Sequence, residues 1–270
     1  MSLTFEKPSY EFQKVSFNVD DILGDHIKLP FPNKSFFQLI VGKAGSGKTS
    51  FLVNELCSKG KNRVYRKVFN KILLVMPKNS RSSLNKCEFD DLPPDQQFEK
   101  LTHAVLEKVA EGREEYEEDK EKRKKENKPK KAFNQLLILD DVTAQLKNKQ
   151  NFYDLVELAT NRRHYKLSII LLVQYLRSVP LPVRCQINST IMFKPANEKD
   201  REILQNEYVN MKKNMFDELS REVWKDQHDY LIIDKNTDTY YKNLQKINFI
   251  SNNITDASKE TNKETNKETD

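Results

Sequence analysis

The sequence has few glycines and few cysteines, and it lacks long hydrophobic runs. Of its 270 residues, six are Gly and three are Cys. At an average usage of roughly 7%, about 19 glycines would be expected in a chain of this length. The cysteines (Cys57, Cys87 and Cys185) are far apart and form no CxxC pair. This pattern excludes a disulfide framework and favours reduced thiols in a cytosol-like compartment.

The sequence also shows no pattern typical of a membrane segment, a secretory leader or a metal centre of clustered histidines. The longest aliphatic runs, Leu136–Leu139 and Ile169–Val173, are far shorter than the roughly 20 residues that cross a bilayer. The first residues, MSLTFEKPSYEF, contain no basic segment followed by an apolar one, so we expect no signal peptide. The four His are scattered and show no metal-ligand spacing.

Charge is abundant and nearly balanced. Lys and Arg total 46 against 40 Asp and Glu, which gives a formal net charge of +6. The segment 251–270 has three Lys and five acids and ends in the repeat KETN, KETN, KETD, so we predict a disordered polar tail. Without that tail of charge -2 the remaining chain carries +8, which is compatible with DNA binding but too modest to establish it.

A second polar segment lies inside the chain, at about 107–131. It holds ten basic and nine acidic residues in 25 positions. Mixed charges at this spacing fit either a solvated helix with i,i+4 ion pairs or a disordered loop. We interpret it in both cases as an insertion outside the core. Contact with DNA phosphates is the alternative role, carried by Lys124, Lys125, Lys128, Lys130 and Lys131.

The apolar runs indicate the fold class. Five of them have the composition of buried strands, and they lie at 36–41, 71–76, 135–139, 168–173 and 187–193. Helical spacing follows the first run at 49–59 and precedes the fourth at 150–162, and the charged segment 198–221 also has a helical pattern. Residues 229–234 and 237–241 are typical of a hairpin. Alternating strands and helices predict an α/β domain with a mainly parallel sheet. We assign 1–34 to an N-terminal arm and 35–250 to this single domain.

Half of the few glycines lie within one octapeptide. Gly42-Lys43-Ala44-Gly45-Ser46-Gly47-Lys48-Thr49 fits the pattern G-x-x-x-x-G-K-[ST] between a predicted strand and a predicted helix. Glycines let successive backbone N–H groups turn toward a phosphate, and the helix start adds its positive dipole end. Lys48 would reach the β- and γ-phosphates, and the Thr49 hydroxyl would bind Mg²⁺. The motif predicts a nucleoside triphosphate site.

Polar residues at the ends of later strands could complete this site. Asp140 and Asp141 follow four aliphatic residues, and we expect Asp140 to hold Mg²⁺ and Asp141 to orient or deprotonate the attacking water. Gln174 follows the run SIILLV and could hydrogen-bond both the γ-phosphate and that water. The alternative for Gln174 is an amide bonded to loop backbone.

A cation that stabilises the transferring phosphoryl group would come from an arginine. The candidates are Arg162 and Arg163, at a helix end before the SIILLV run, and Arg184 after it. Basic residues at a helix end often only complement the helix dipole. The sequence does not choose among the three, and we carry Arg163 and Arg184 forward as the candidates.

The series of motifs resembles the poxvirus-type genome-packaging ATPases of the FtsK–HerA group of P-loop motors. The resemblance is carried by LIVGKAGSGKTSFL, KILLVMP, LLILDDV and NRRHYKLSIILLVQYLRSVP, and it spans about residues 36–193. The adjacent Asp140-Asp141, and Arg163-His164 placed before the SIILLVQ strand, are its more specific parts.

The resemblance implies a RecA-like core in which the strand of Gln174 lies between the P-loop strand and the Asp140 strand. It also implies that ATP and Mg²⁺ are the cofactors and that the chain forms a homo-oligomeric ring, which is hexameric in the family that it resembles. The implied activity is the movement of double-stranded DNA into a capsid. We therefore expect partnership with capsid proteins and a location in the host cytoplasm, in a viral factory, or in the virion. A small-molecule or nucleotide kinase, and a nucleotide-gated assembly module with little turnover, remain the alternatives.

Overall fold

The apolar runs of the sequence become the strands of one sheet in the computed structural model of the chain, which describes residues 22–82, 88–129 and 132–249. Among these residues the strands are β1 (Phe37–Val41), β2 (Lys71–Val75), β3 (Gln97–Phe98), β4 (Gln135–Asp140), β5 (Leu167–Val173), β6 (Ser189–Phe193), β7 (Tyr230–Asp234), β8 (Thr239–Lys242) and β9 (Gln245–Lys246). Their order across the sheet is β3-β2-β4-β5-β1-β6-β7-β8-β9.

Strand direction divides the sheet into two parts. The strands from β3 across to β6 run parallel, and β7, β8 and β9 continue the sheet with antiparallel pairings. All parallel strands therefore end at the same edge, which we call the carboxyl edge; the opposite one is the amino edge. The predicted α/β class is confirmed, and β5 lies between β1 and β4 as the resemblance implies.

Helices cover both faces of the sheet. They are α1 (Lys48–Cys57), α2 (Lys78–Ser82), α3 (His103–Lys125), α4 (Lys149–Asn161), α5 (Leu181–Arg184), α6 (Glu198–Ile203) and α7 (Lys213–Val223). One core contains side chains of α3, α4 and α7, and the other contains side chains of α1. Along β5, Ile169 and Leu171 join the first core while Ile170 and Leu172 join the second. Burial on both faces explains why the strands are continuous apolar runs without polar alternation.

The charged segment at 107–131 is mainly helical and begins inside the core. It forms most of α3, whose Val105, Leu106 and Val109 are buried against the first core. Beyond that point the helix carries i,i+4 ion pairs such as Arg123 with Asp119. The helical alternative is therefore correct, and the expectation that the whole segment lies outside the core is wrong. Val109 recurs at helical spacing after Val105 and Leu106, and this short apolar stripe holds the first turns on the sheet.

The segment 198–221 differs from its prediction, and the late hairpin agrees with its prediction. The single helix predicted at 198–221 is divided, because α6 continues as a π-helix over Leu204–Val209 and ends at Asn210, whose φ of 48° is left-handed. The late hairpin is confirmed, since β7 pairs antiparallel with β8 and Asp234 lies opposite Thr239.

The remaining segments lie at the ends of the chain. Residues 22–34 of the predicted arm pack against the second core through Leu23 and Ile27. The rest of that arm and the predicted disordered tail at 251–270 lie outside the described residues. Among the helices of the described ranges, none combines the length and the apolar character that a membrane crossing requires.

Candidate functional site

The loop between β1 and α1 turns through conformations that require glycine. Gly45 and Gly47 have φ values of 73° and 108°, which other residues adopt only at a steric cost. Gly42 has a different requirement, because a Cβ atom there would lie 2.4 Å from the Ser46 Oγ and 2.8 Å from the Phe193 Cβ. The glycines of the motif therefore serve the loop in two ways, by permitting its turns and by permitting its close packing.

Ser46 gives an observation that fits an anion in this loop. Its side chain is buried, and its Oγ has no hydrogen-bond partner among the described residues. A buried hydroxyl without a partner is costly unless a ligand or water completes it. Because the loop also presents the N-terminus of α1, these groups fit a bound phosphate.

Lys48 crosses the loop at the first position of α1. Its Nζ donates to the carbonyl oxygens of Gly42 at 2.6 Å and Lys43 at 3.1 Å. Burial lowers the pKa of Lys48, and the nearby carboxylates of Asp140 and Asp141 oppose that change. The structure thus brings Lys48 near two adjacent acids that follow it by more than 90 positions in the sequence.

The two adjacent carboxylates have different environments. Asp140 is the last residue of β4 and only 8% exposed. Burial raises the pKa of Asp140 to about 6, Lys48 acts in the opposite direction, and Asp141 adds to the rise. Asp141 is exposed and left-handed, with a φ of 54°, and its backbone N–H donates to the Leu172 carbonyl at 3.2 Å. A buried and an exposed acid side by side can fill two different roles, as a metal ligand and as a group that handles water.

Gln174 belongs to the same edge. It follows β5, and the preceding Val173 accepts a hydrogen bond of 3.2 Å from the Gly42 N–H. Its side chain is exposed, and it forms no hydrogen bond with the residues that the structure describes. This placement puts the Gln174 amide at the carboxyl edge, next to the start of the loop.

The arginines are not brought to this site. Arg162 and Arg163 directly precede β5 and therefore lie at the amino edge. Arg184 lies shortly before β6, and the first residues of β6 pair with the start of β1, so Arg184 is also near the amino edge. Strands of five to seven residues separate the two edges by roughly 15–20 Å. The Arg184 guanidinium also donates to Glu207 at 2.9 and 2.7 Å. None of the three can contact a phosphate on the loop of its own chain.

Sequence reasoning missed His228. It lies in the turn before β7, and its Nδ1 is 3.1 Å from the Ser46 carbonyl oxygen. These residues are 182 positions apart, and the antiparallel part of the sheet brings them together. A histidine just before the predicted strand at 229–234 was the available signal, but no motif pairs it with the loop.

Comparisons with known proteins agree with the motif series. The family model described as poxvirus A32 protein matches residues 28–267. Uncharacterized protein L437 of Acanthamoeba polyphaga mimivirus is 27% identical over 173 residues, which are 64% of this chain. The chain spans 57% of the length of that relative.

Solved structures resemble the chain more distantly. The genome packaging NTPase B204 from Sulfolobus turreted icosahedral virus 2, in complex with ATP-gammaS, is 20% identical with a TM-score of 0.47 and covers 77% of this chain and 96% of its own. The cytoplasmic domain of the type VII secretion ATPase EccC from Thermomonospora curvata is 12% identical with a TM-score of 0.49, and covers 90% of this chain and 28% of its own.

Proposed function

The chain belongs to the poxvirus A32 protein family, and from that premise we propose that it hydrolyses ATP to drive double-stranded DNA into a viral capsid. The observation that carries the hydrolysis is the placement of Lys48, Asp140 and Asp141 at the same edge of the sheet, where the two carboxylates act electrostatically on the lysine. Packaging is supported by the family and by the resemblance of the motif series to packaging motors.

Each residue of the site has a proposed role. The backbone of the loop holds the phosphates. The loop consists of Gly42, Lys43, Ala44, Gly45, Ser46, Gly47, Lys48 and Thr49. Bound Mg²⁺ neutralises charge on the phosphates. The Thr49 hydroxyl and the Asp140 carboxylate are the groups that would hold that ion.

Water handling falls to the exposed polar groups at the carboxyl edge. Asp141 orients the attacking water or accepts its proton. Gln174 contacts both the terminal phosphate and that water, and so senses which nucleotide is present. The environment of each side chain suits its role, because Asp140 is buried toward the sheet while Asp141 and Gln174 are exposed.

The proposed motor is a homo-oligomeric ring, hexameric in the related motors, that works with capsid proteins in the host cytoplasm, in a viral factory, or in the virion. Arg163 or Arg184 of a neighbouring subunit supplies the cation that the site lacks. The position of these residues near the amino edge, away from the loop of their own chain, supports this assignment.

The test is ATP hydrolysis with and without double-stranded DNA. We expect DNA to raise turnover, Lys48→Ala to abolish ATP binding, and Asp141→Asn to keep binding while turnover falls about 10²–10⁴-fold. Asp238→Asn is the matched control, because Asp238 is another exposed aspartate with a left-handed φ of 50°.

The other functions would give different results in the same assay. Phosphate transferred to a small acceptor would indicate a kinase, and nucleotide binding with negligible hydrolysis would indicate an assembly module. Undiminished turnover in Lys48→Ala would overturn the assignment of the loop.

A further inference from the structure

A cavity of about 750 Å³ lies beside the phosphate loop and is not used by the phosphate site. Its walls come from α1 between Ser50 and Glu55, the end of β6, the start of β7 and two chain segments, 26–31 and 61–64. Gly47 belongs both to this wall and to the phosphate loop, and Ser50 directly follows the motif. The cavity is therefore continuous with the loop, and its volume lies in the range typical of small-molecule sites.

Aromatic rings form much of the cavity wall. The Phe51 ring meets Tyr230 edge to face, with centroids 5.1 Å apart, and Tyr230 lies 5.5 Å from Phe193. Phe31 continues the cluster at 6.3 Å from Phe51. Rings that pack on one another in this way hold fixed positions and offer apolar surface to a flat ligand.

Polar groups lie where the cavity meets the loop. Asn54 is exposed on α1, one turn after Ser50, and both line the cavity. His228 also lines it, with Nδ1 bound to the Ser46 carbonyl oxygen. A carbonyl oxygen only accepts hydrogen bonds, so Nδ1 carries the proton and the Nε2 of a neutral ring is an acceptor. The mouth of the cavity thus offers an amide, a hydroxyl and an imidazole nitrogen beside the phosphate loop.

We propose that this aromatic cavity holds the base of the bound nucleoside triphosphate and selects purines by stacking. The proposal rests on the proposed function in one respect, namely that the loop binds the triphosphate. A nucleotide whose phosphates occupy the loop must place its sugar and base beside the loop, and Gly47 and Ser50 connect the loop to this cavity. A purine gains more than a pyrimidine because it covers more ring surface.

The wall also determines how selective the site is. Besides its aromatic rings the wall carries polar side chains, among them Asn54 on α1 and Asn62 and Arg63 in the segment 61–64. Stacking does not distinguish adenine from guanine, because each has an aromatic face of the same size. Stacking therefore gives a preference for purine over pyrimidine triphosphates.

The test compares binding of ATP with binding of inorganic tripolyphosphate, by calorimetry on the full chain with Mg²⁺. Tripolyphosphate probes the loop alone, and ATP probes the loop and the cavity. We expect ATP to bind the wild type at least about fivefold more tightly, the lower end of what stacking of one base supplies. Asn54→Trp should fill the cavity mouth and abolish this advantage while tripolyphosphate affinity stays within about twofold.

The matched control is Asn214→Trp, which places the same side chain on an exposed asparagine of α7, remote from the cavity. Phe51→Leu is a second variant, because it keeps apolar volume but removes a stacking ring. It should weaken ATP and GTP binding and leave tripolyphosphate binding unchanged.

The results distinguish a failure of the base site from a failure of the phosphate loop on which it rests. Equal affinity of the wild type for ATP and tripolyphosphate, or an unchanged ratio in Asn54→Trp, would overturn the base site and leave the phosphate loop intact. A preference for pyrimidines would overturn the stacking explanation. A wild type that binds neither ligand would overturn both proposals together.

Discussion

Glu55 is a buried acid on the wall of the aromatic cavity. It lies on α1 with 2% of its surface exposed, and the Gln38 amide nitrogen donates to both of its oxygens at 2.8 and 2.9 Å. Gln38 is on β1, four residues before Gly42. Burial raises the pKa of Glu55 to about 8, against a smaller opposite effect of the Gln38 hydrogen bond. The acid is therefore mostly neutral at pH 7.

This shift predicts a pH dependence of stability. The unfolded chain loses the Glu55 proton near its ordinary pKa of about 4.3, whereas the folded chain keeps it up to about 8. The contribution of Glu55 is fully present below the lower value and is lost as the pH rises through the higher one. The free energy of unfolding should fall by at most about 1.4 kcal/mol per pH unit across this window.

Glu55→Gln isolates that contribution, because glutamine keeps the shape of the neutral acid and does not titrate. Denaturant unfolding of both proteins at pH 5, 6, 7 and 8 should show the variant gaining stability over the wild type as the pH rises. Other titrating groups cancel in the difference between the two proteins. Parallel curves for the two proteins would show that Glu55 does not keep its proton.

At the scale of elements, α3 has two different halves. Its first turns are fixed to the core by Val105, Leu106 and Val109, and its last turns carry mostly exposed charges. The helix has 23 residues, about 34 Å at 1.5 Å per residue. The neighbouring strand β4 has only six, about 20 Å. The charged half therefore extends past the sheet and contributes little to the core.

Substitutions along α3 should reveal this difference. Val109→Ala should reduce the free energy of unfolding by about 2 kcal/mol, because it removes methyl groups from a fully buried position. Lys124→Ala, on the exposed half of the same helix, should change it by less than about 0.5 kcal/mol. Equal costs at the two positions, measured by denaturant unfolding, would contradict the division of the helix.

At the scale of the whole molecule, parallel strands separate two groups of predicted residues. Lys48, Asp140, Asp141 and Gln174 lie at the carboxyl edge, and Arg163 lies at the amino edge. Chemistry that needs both groups requires two copies of the chain, with the amino-edge side of one facing the loop of the next. The Arg184 guanidinium is bound by Glu207 of its own chain, so a role for Arg184 in a neighbouring site requires this ion pair to break.

Mixing two inactive variants tests this arrangement. Arg163→Ala subunits keep an intact loop, and Lys48→Ala subunits keep Arg163, so a mixed assembly contains some complete sites at subunit interfaces. We expect ATP hydrolysis to recover in the mixture, measured against each variant alone.

The control mixes Lys48→Ala with Asp141→Asn. Both of these defects lie in the same site of one chain, so this pair cannot produce a complete site. Recovery no greater than in the control, or full activity of Arg163→Ala by itself, would refute an arginine supplied by a neighbour.

The sequence by itself determined the parallel α/β sheet, the phosphate loop and the acids that face it. These features depend on short-range patterns: apolar runs of strand length, a glycine motif between strand and helix, and carboxylates directly after a strand. Parallel strands that share an edge bring such residues together without further information, as they do for Lys48 and Asp140.

Only the tertiary structure decided the features that depend on distant contacts. The placement of His228 beside Ser46 and the aromatic cavity arise from pairing of β6 with β7, which no local pattern encodes. The first turns of α3 enter the core because three apolar residues outweigh the surrounding charge when a sheet face is available to bury them. The position of the arginines also depends on the tertiary structure. They flank β5 in the sequence, but the length and the direction of the strands determine their distance from the loop.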